Sequence, residues 1–358
     1  MRAELRRGAA LCACALAAGC GTIQPEVAYP TTRAAAPASQ APAARLPAAA
    51  LGGKWDSTLA GLRAEDQRVA DIGYRIALAN AELCPDHAPL SGLLLQSALQ
   101  YSPRLRPAAE ALFHIDARPA VEAVAAGSPA AAAGLKVGDI LVAVDGRPLP
   151  RAAAGADQPA SYLPVQQALS AIDAAMRTGQ TQLTVERAAA PLHVTLAPKQ
   201  GCAYDAQVTP GPELNASADG RHVFITTGLA SYVRSDDMLA LVLGHEYAHD
   251  LLHHHDRLDR KGFARGVLGE LGSSPASLIV AEKEADYVGL YLTARAGYDI
   301  SAAPDFWRRF PKAIGDFGWS HPGAWERAAS LAATRDEILA KQRRGEPLTP
   351  NPAGGGER

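Results

Sequence analysis

No stretch of this 358-residue sequence holds the roughly 18–20 consecutive apolar residues that a helix needs to cross a bilayer, so no membrane span is expected. An excess of positive charge is also missing. Lys and Arg number 35 against 37 Asp and Glu, which leaves a formal net charge of -2 and no basic field to hold a polyanion. No arginine-rich helix or glycine-aromatic pattern of an RNA binder occurs either, so nucleic acid is excluded as an expected partner. Internal repeats are absent. Cysteine is scarce, with five in all, three of them within the first twenty residues. What remains is an ordinary globular composition, 48% hydrophobic and 20% charged, enough to bury a sizeable core and to build two domains.

The first twenty residues differ from the rest. MRAELRR supplies three arginines, GAALCACALAA is a short apolar run, and Ala17-Ala18-Gly19-Cys20 closes it with small residues before a cysteine. This resembles a bacterial lipoprotein signal. The resemblance implies removal of residues 1–19, a lipid on the Cys20 sulfur and an acylated new amino terminus, and several acyl chains at one point anchor stably. Gly21 in place of an aspartate resembles outer-membrane sorting, so the expected location is the outer membrane, lipid-anchored and facing the periplasm. Cys12 and Cys14 leave with the signal. Cys84 and Cys202 are then a candidate disulfide in an oxidising compartment, the alternative being two unrelated thiols. Residues 20–55, rich in Ala and Pro, read as a tether, and residues 345–358 (ending EPLTPNPAGGGER) as a disordered tail.

Between these ends, Leu59, Leu62, Val69, Ile72, Ile76 and Leu83 recur at helical spacing and predict a long amphipathic helix over residues 56–83. A second pattern runs from Ala120 to Leu149: a short strand, a Gly-Ser-Pro turn, a small helix, a Gly-Asp turn and a strand closing at Asp145-Gly146. A helix over Ser161–Met176 and strands in TQLTVER and LHVTLAP follow. The GSPA..AGL.VGD core resembles a PDZ domain of the bacterial protease-associated kind, covering about residues 111–199. Such domains capture a carboxyl terminus by strand addition, and a C-terminal peptide is therefore an expected partner. The usual Gly-Leu-Gly-Phe-like loop is not evident, PAAEALFHID occupying that neighbourhood, and the alternative is an insert that only shapes access to a neighbouring site. A Cys84–Cys202 bond would staple its base.

Downstream, RHVFITTGL (Arg221–Leu229) reads as a strand that offers an edge to an extended substrate, followed by Ser235 as a helix N-cap with two acids behind it. In the helix LVLGHEYAHDLL, His245 and His249 lie four apart on one face, one turn from each other, and can point two imidazoles at one ion. Glu246 sits beside the first. His-Glu-x-x-His is the spacing of zinc hydrolases in which the glutamate is a base rather than a ligand. Two residues compete as third ligand. His255 stands six after His249, but the glycine that would turn the chain back is replaced by Leu252, so the helix is expected to run on and carry His255 away. In SLIVAEKEADYVGLYLTARAGYD, Glu282 and Asp286 are four apart on a second apolar helix, and Glu282 completes a His/His/Glu set with an open fourth position. Glu284 reads as a solvated charge and His253 to His255 as an exposed helix end.

HEYAH followed by EKEAD resembles the HtpX and CAAX prenyl protease (Ste-type) family of gluzincin zinc metallopeptidases. AGYDISAAPDFW and SHPGAWER share the likeness. The resemblance implies one zinc ion on His245, His249 and Glu282, Glu246 as catalytic base, and Asp286 orienting a histidine ligand from behind. It also implies catalytic parts for His321 and Arg327, His321 either steadying the oxyanion or closing the site as a fourth ligand. The expected fold class is α+β: a mainly helical zincin-like peptidase domain over residues 56–110 and 200–344, interrupted by a small β-rich PDZ domain. The expected function is a zinc metalloendopeptidase acting on unfolded or misassembled envelope proteins. The second reading is an envelope chaperone or assembly adaptor with little proteolysis.

Overall fold

The computed structural model describes residues 26–30, 55–151, 155, 157–260, 275–314 and 324–351. Cys20, His321 and the expected signal lie outside the described residues. The architecture is mixed α and β, as the alternation of patterns predicts, and it has two parts.

Helix α1, Trp55–Ala79, takes its length from the amphipathic period: Leu62, Val69, Ile72 and Ile76 are all buried in one large core. Strands β1 (His87–Leu90) and β2 (Leu93–Gln96) follow, then α2 (Arg106–Phe113), β3 (Ala120–Val124), the short α3 (Pro129–Ala132), β4 (Ile140–Val144) and the two-residue β5 (Arg147–Pro148). Helix α4 (Leu163–Met176) precedes β6 (Thr181–Arg187), β7 (Ala190–Leu196) and β8 (Lys199–Cys202). Strands β2-β3-β4-β6-β7 form one antiparallel sheet, with β5 on β4, over a core of its own that includes Val121, Leu141, Val165, Ile172, Leu183 and Val185. Ser128 caps α3 by accepting from the Ala131 amide at 3.1 Å, which explains the Gly-Ser-Pro signature.

The insert begins earlier than the sequence reading placed it. Strand β2 pairs with β3, so the sheet starts at Leu93 rather than near residue 111, while Ala98, Leu105 and Ala109 pack in a small cluster with Leu59 of α1. Its neck is the antiparallel pair β1 and β8, His87 opposite Cys202, and the disulfide Cys84–Cys202 closes just below it with Cα atoms 5.4 Å apart. PAAEALFHID is not the carboxylate loop: most of it is α2. The turn that leads into β2 is Ser91-Gly92, where Gly92 has φ +74 and no room for a Cβ against Ser128. A cavity of about 620 Å³ opens there, walled by Leu93, by Leu169 and Asp173 of α4, and across from them by Gly73 and Tyr74 of α1. The insert is held on α1 by polar contacts to its backbone. Gln67 donates to the Val124 carbonyl at 2.9 Å and accepts from the Val124 amide at 3.2 Å, and Asp71 accepts from the Ala126 amide at 2.7 Å.

After the neck, β9 (Asp205–Thr209), β10 (Ala216–Ala218) and β11 (His222–Thr226) form a three-stranded sheet in the order β10-β11-β9. Here the reading of RHVFITTGL needs correcting. Strand β11 is the central strand, antiparallel to β10 and parallel to β9, so it presents no free edge to a substrate. The chain then continues through α5 (Thr227–Tyr232), α6 (Asp236–Leu251), α7 (His254–Arg260), α8 (Pro275–Arg295), α9 (Ala303–Ile314) and α10 (Ala324–Arg344). Helices α6 and α8 touch backbone to backbone at Gly244 and Gly289: a Cβ on Gly289 would stand 2.8 Å from the Gly244 oxygen and from the His245 Cα. That approach brings the two helices that carry the metal-ligating candidates together.

Both terminal readings also change. Within the expected tether, Val27 bridges to Tyr101 and is buried beside Leu59 and Leu105, because an apolar Val and Tyr29 interrupt the Ala/Pro composition. Within the expected tail, Leu348 packs on the main core and the Asn351 amide donates to the Tyr287 hydroxyl at 3.1 Å.

Candidate metal centre

Helix α6 begins after Ser235, whose side chain makes no capping bond; Asp236 and Asp237 occupy the positive first turn instead. Two turns of buried Leu and Val seat it in the core, and His245 and His249 then project from the face that meets α8. Their Nε2 atoms are 3.2 Å apart. From α8, Glu282 brings Oε2 to 3.3 Å from His245 Nε2 and Oε1 to 3.6 Å from His249 Nε2. Among the described residues these three form the one group whose ligand atoms converge, all within 4.8 Å of one another. Tetrahedral zinc with bonds of about 2.0–2.1 Å sets its donors roughly 3.3 Å apart, so the donor set and the spacing both fit that ion. Glu246, half-buried, follows His245 on the same turn.

Each ring is fixed from behind. His245 Nδ1 lies 3.0 Å from Asp286 Oδ1. Asp286 is in turn gripped by Arg327, with Nη2–Oδ1 2.6 Å and Nε–Oδ2 2.8 Å, and the guanidinium lies 3.6 Å over the Trp307 ring. Arg327 is 6% exposed. Its place is thus behind the ligand, where it holds Asp286 and comes within 3.4 Å of His245 Nδ1. Burial raises the Asp286 carboxyl, but the Arg327 charge and the His245 contact outweigh this and hold it below the usual carboxylate range.

Burial lowers His245, yet its bonds to Asp286 and Glu282 prevail and push it up to about 10. Burial and the neighbouring His245 push His249 down to about 3. A cation bound by these side chains competes with the proton on His245.

The segment after His249 departs from the sequence reading. The helix does not run on. It ends at Leu251, His253 adopts φ 50, and α7 restarts at His254. His254 is 2% exposed, not part of an exposed end, and joins His249 to Glu284, which is therefore no free surface charge. His255 is turned away from the metal centre, with Nε2 on the Ala218 carbonyl. No glycine or proline marks this break, so composition gave no signal for it.

Asp250, beside His249, faces the opposite way. It is fully buried, accepts from the Gly220 amide at 2.7 Å through one oxygen, and leaves the other without a hydrogen-bond partner. Burial pushes it up to about 8. The folded chain thus keeps a proton that the unfolded chain releases near pH 4, and stability falls as pH rises between those values. Asp250→Asn keeps the bond from Gly220 and removes this penalty. Thermal melts should show a gain on the order of 2 kcal/mol at pH 8 that vanishes by pH 4; equal melts of variant and parent at both pH values would refute a neutral buried carboxyl.

A histidine pair one turn apart, a glutamate from the next helix and an adjacent acid define a metal centre of the metallopeptidase class. Comparison with known proteins agrees. The sequence profile of Peptidase family M48 matches residues 175–262, and a PDZ domain profile matches residues 120–163. The chain is 30% identical over 161 residues to the mitochondrial metalloendopeptidase OMA1 of Arabidopsis thaliana, covering 39% of this chain and 33% of that protein. It is 28% identical over 149 residues to the mitochondrial metalloendopeptidase OMA1 of Schizosaccharomyces pombe, covering 34% of this chain and 44% of that protein. The chain thus spans less than half the length of either relative. Over the matched residues the chain is similar to Peptidase family M48 and to part of these metalloendopeptidases. Glu282 lies beyond the matched span, so its place in the site rests on the geometry.

Proposed function

We propose that this chain is a zinc-dependent metalloendopeptidase of the HtpX and CAAX prenyl protease type. In this reading it is anchored through a lipid on Cys20 at the bacterial outer membrane, faces the periplasm, and cuts unfolded or misassembled envelope proteins. The observation that carries the proposal is the convergence of His245, His249 and Glu282 beside Glu246. Zinc held by these three side chains would supply a Lewis acid that polarises a water and a peptide carbonyl. Glu246 takes the proton of the attacking water and returns it to the leaving amine. Asp286 and Arg327 keep the His245 ring in place throughout. The PDZ insert recruits carboxyl termini at the cavity between β2 and α4, where Gly92 lets backbone amides approach a peptide end. Fixed as it is on α1 through Gln67 and Asp71, the insert holds captured peptide at a set distance from the metal centre.

Incubation of the purified chain with casein and with a folded protein of similar size tests this. Casein should be cut, the folded protein should resist, and a zinc chelator should stop cleavage until zinc is restored. Cleavage that persists after the metal has been stripped would defeat the proposal.

A further inference from the structure

We infer that His254 and Glu284 form a positioning relay for the second metal-binding histidine, an inference that rests on the zinc reading above. The geometry leaves one assignment of protons. His249 turns Nε2 toward His245 and Glu282, and its Nδ1 meets His254 Nδ1 at 2.9 Å. Two imidazole nitrogens at that separation share one hydrogen: one donates and the other accepts. A cation on His249 Nε2 leaves the hydrogen of that neutral ring on Nδ1. His254 Nδ1 is then the acceptor, and its own hydrogen lies on Nε2, which stands 3.0 Å from Glu284 Oε2. Glu284 is steadied by Arg257 at 2.7 Å. Every donor in the chain Glu284–His254–His249 meets an acceptor, and no other arrangement of neutral rings satisfies both contacts.

The relay mirrors the support of His245, where Asp286 contacts the ring directly and Arg327 holds the carboxylate. On the His249 side a second imidazole spans the gap between ring and carboxylate. The break after Leu251 makes this possible: with His253 at φ 50, α7 folds back so that His254 reaches His249 on α6 and Glu284 on α8 at once. His254 is a positioning residue, since it touches no reacting atom.

Zinc dissociation constants, measured by competition with a chromophoric chelator, test the relay. The variants are His254→Leu, His254→Asn and Glu284→Ala, with His253→Asn as control because Asn tolerates a positive φ. Leucine keeps the bulk but cannot accept from His249, and zinc affinity should fall about 10–100-fold. Asparagine restores an acceptor near the Nδ1 position and should recover most of that loss. Glu284→Ala frees the His254 hydrogen to move to Nδ1 and should weaken zinc several-fold, while His253→Asn changes nothing. Equal affinity across His254→Leu, His254→Asn, Glu284→Ala and parent would overturn the relay and leave the zinc reading intact. If His254→Leu fails to fold, Glu284→Ala decides: parental zinc affinity in it would overturn the relay, and a several-fold loss supports it. A parent chain whose zinc binding is indifferent to His245→Ala would instead sink the zinc reading itself.

Discussion

Glu246→Gln is expected to retain one zinc per chain and to cut casein about 1,000-fold more slowly than the parent. The two halves of that outcome separate binding from chemistry. Glutamine keeps the size of Glu246 and its ability to accept a hydrogen bond, and the three groups that converge on one another are His245, His249 and Glu282. Metal occupancy should therefore survive. Glutamine cannot take a proton from water near neutral pH, so the hydrolytic step loses its base. KM should change little, because the loss concerns the transition state rather than ground-state binding. Metal analysis and single-turnover cleavage on the same preparation read both quantities. Undiminished cleavage would remove Glu246 from the reaction, and absence of cleavage in the parent would turn attention to the adaptor reading.

Arg327→Met is expected to have the largest effect on stability. Its guanidinium makes two bonds to Asp286 with both groups almost fully buried. Methionine fills a similar space but leaves a carboxylate in the core with no cation beside it. Losing one partner of a buried pair costs about 3–5 kcal/mol, and in a chain of this size melting should drop by roughly 10 °C. The second consequence concerns zinc. Released from Arg327, Asp286 no longer holds His245 Nδ1 in one orientation, so zinc affinity should also fall about 10-fold or more. The double variant Asp286→Leu/Arg327→Met separates the effects: without the stranded carboxylate it should regain most of the stability, yet its zinc affinity should stay low. Chemical denaturation and chelator competition on the three proteins check this. A double variant with parental zinc affinity would show that Asp286 has no part in holding His245.

Much of this centre was legible in the sequence because helical periodicity alone puts residues four apart on one face. His245 with His249, and Glu282 with Asp286, needed no tertiary information beyond the meeting of their helices. The long α1 and the core of the PDZ insert were readable for the same reason, since apolar spacing and the GSPA turn are local signals. What stayed hidden depends on partners distant in the chain. The apolar alternation of RHVFITTGL shows a strand, but only the pairing with β9 and β10 makes it central. LLHHHD contains no helix breaker, and the turn at His253 exists because His254 and His255 find acceptors on α8 and β10. LLLQ is too short an apolar run to show a strand by itself, and only its pairing with β3 makes it the first strand of the insert's sheet. Gly244 and Gly289 were a readable but unused signal: glycine inside an apolar helix, one next to a metal-ligating candidate, marks a place where another backbone comes close.

The most direct test is diffraction from crystals of the zinc-loaded chain at wavelengths on either side of the zinc absorption edge. The account predicts one anomalous peak per chain, about 2.0–2.2 Å from His245 Nε2, His249 Nε2 and a Glu282 oxygen. A peak held by other side chains, or none near these three, would contradict it.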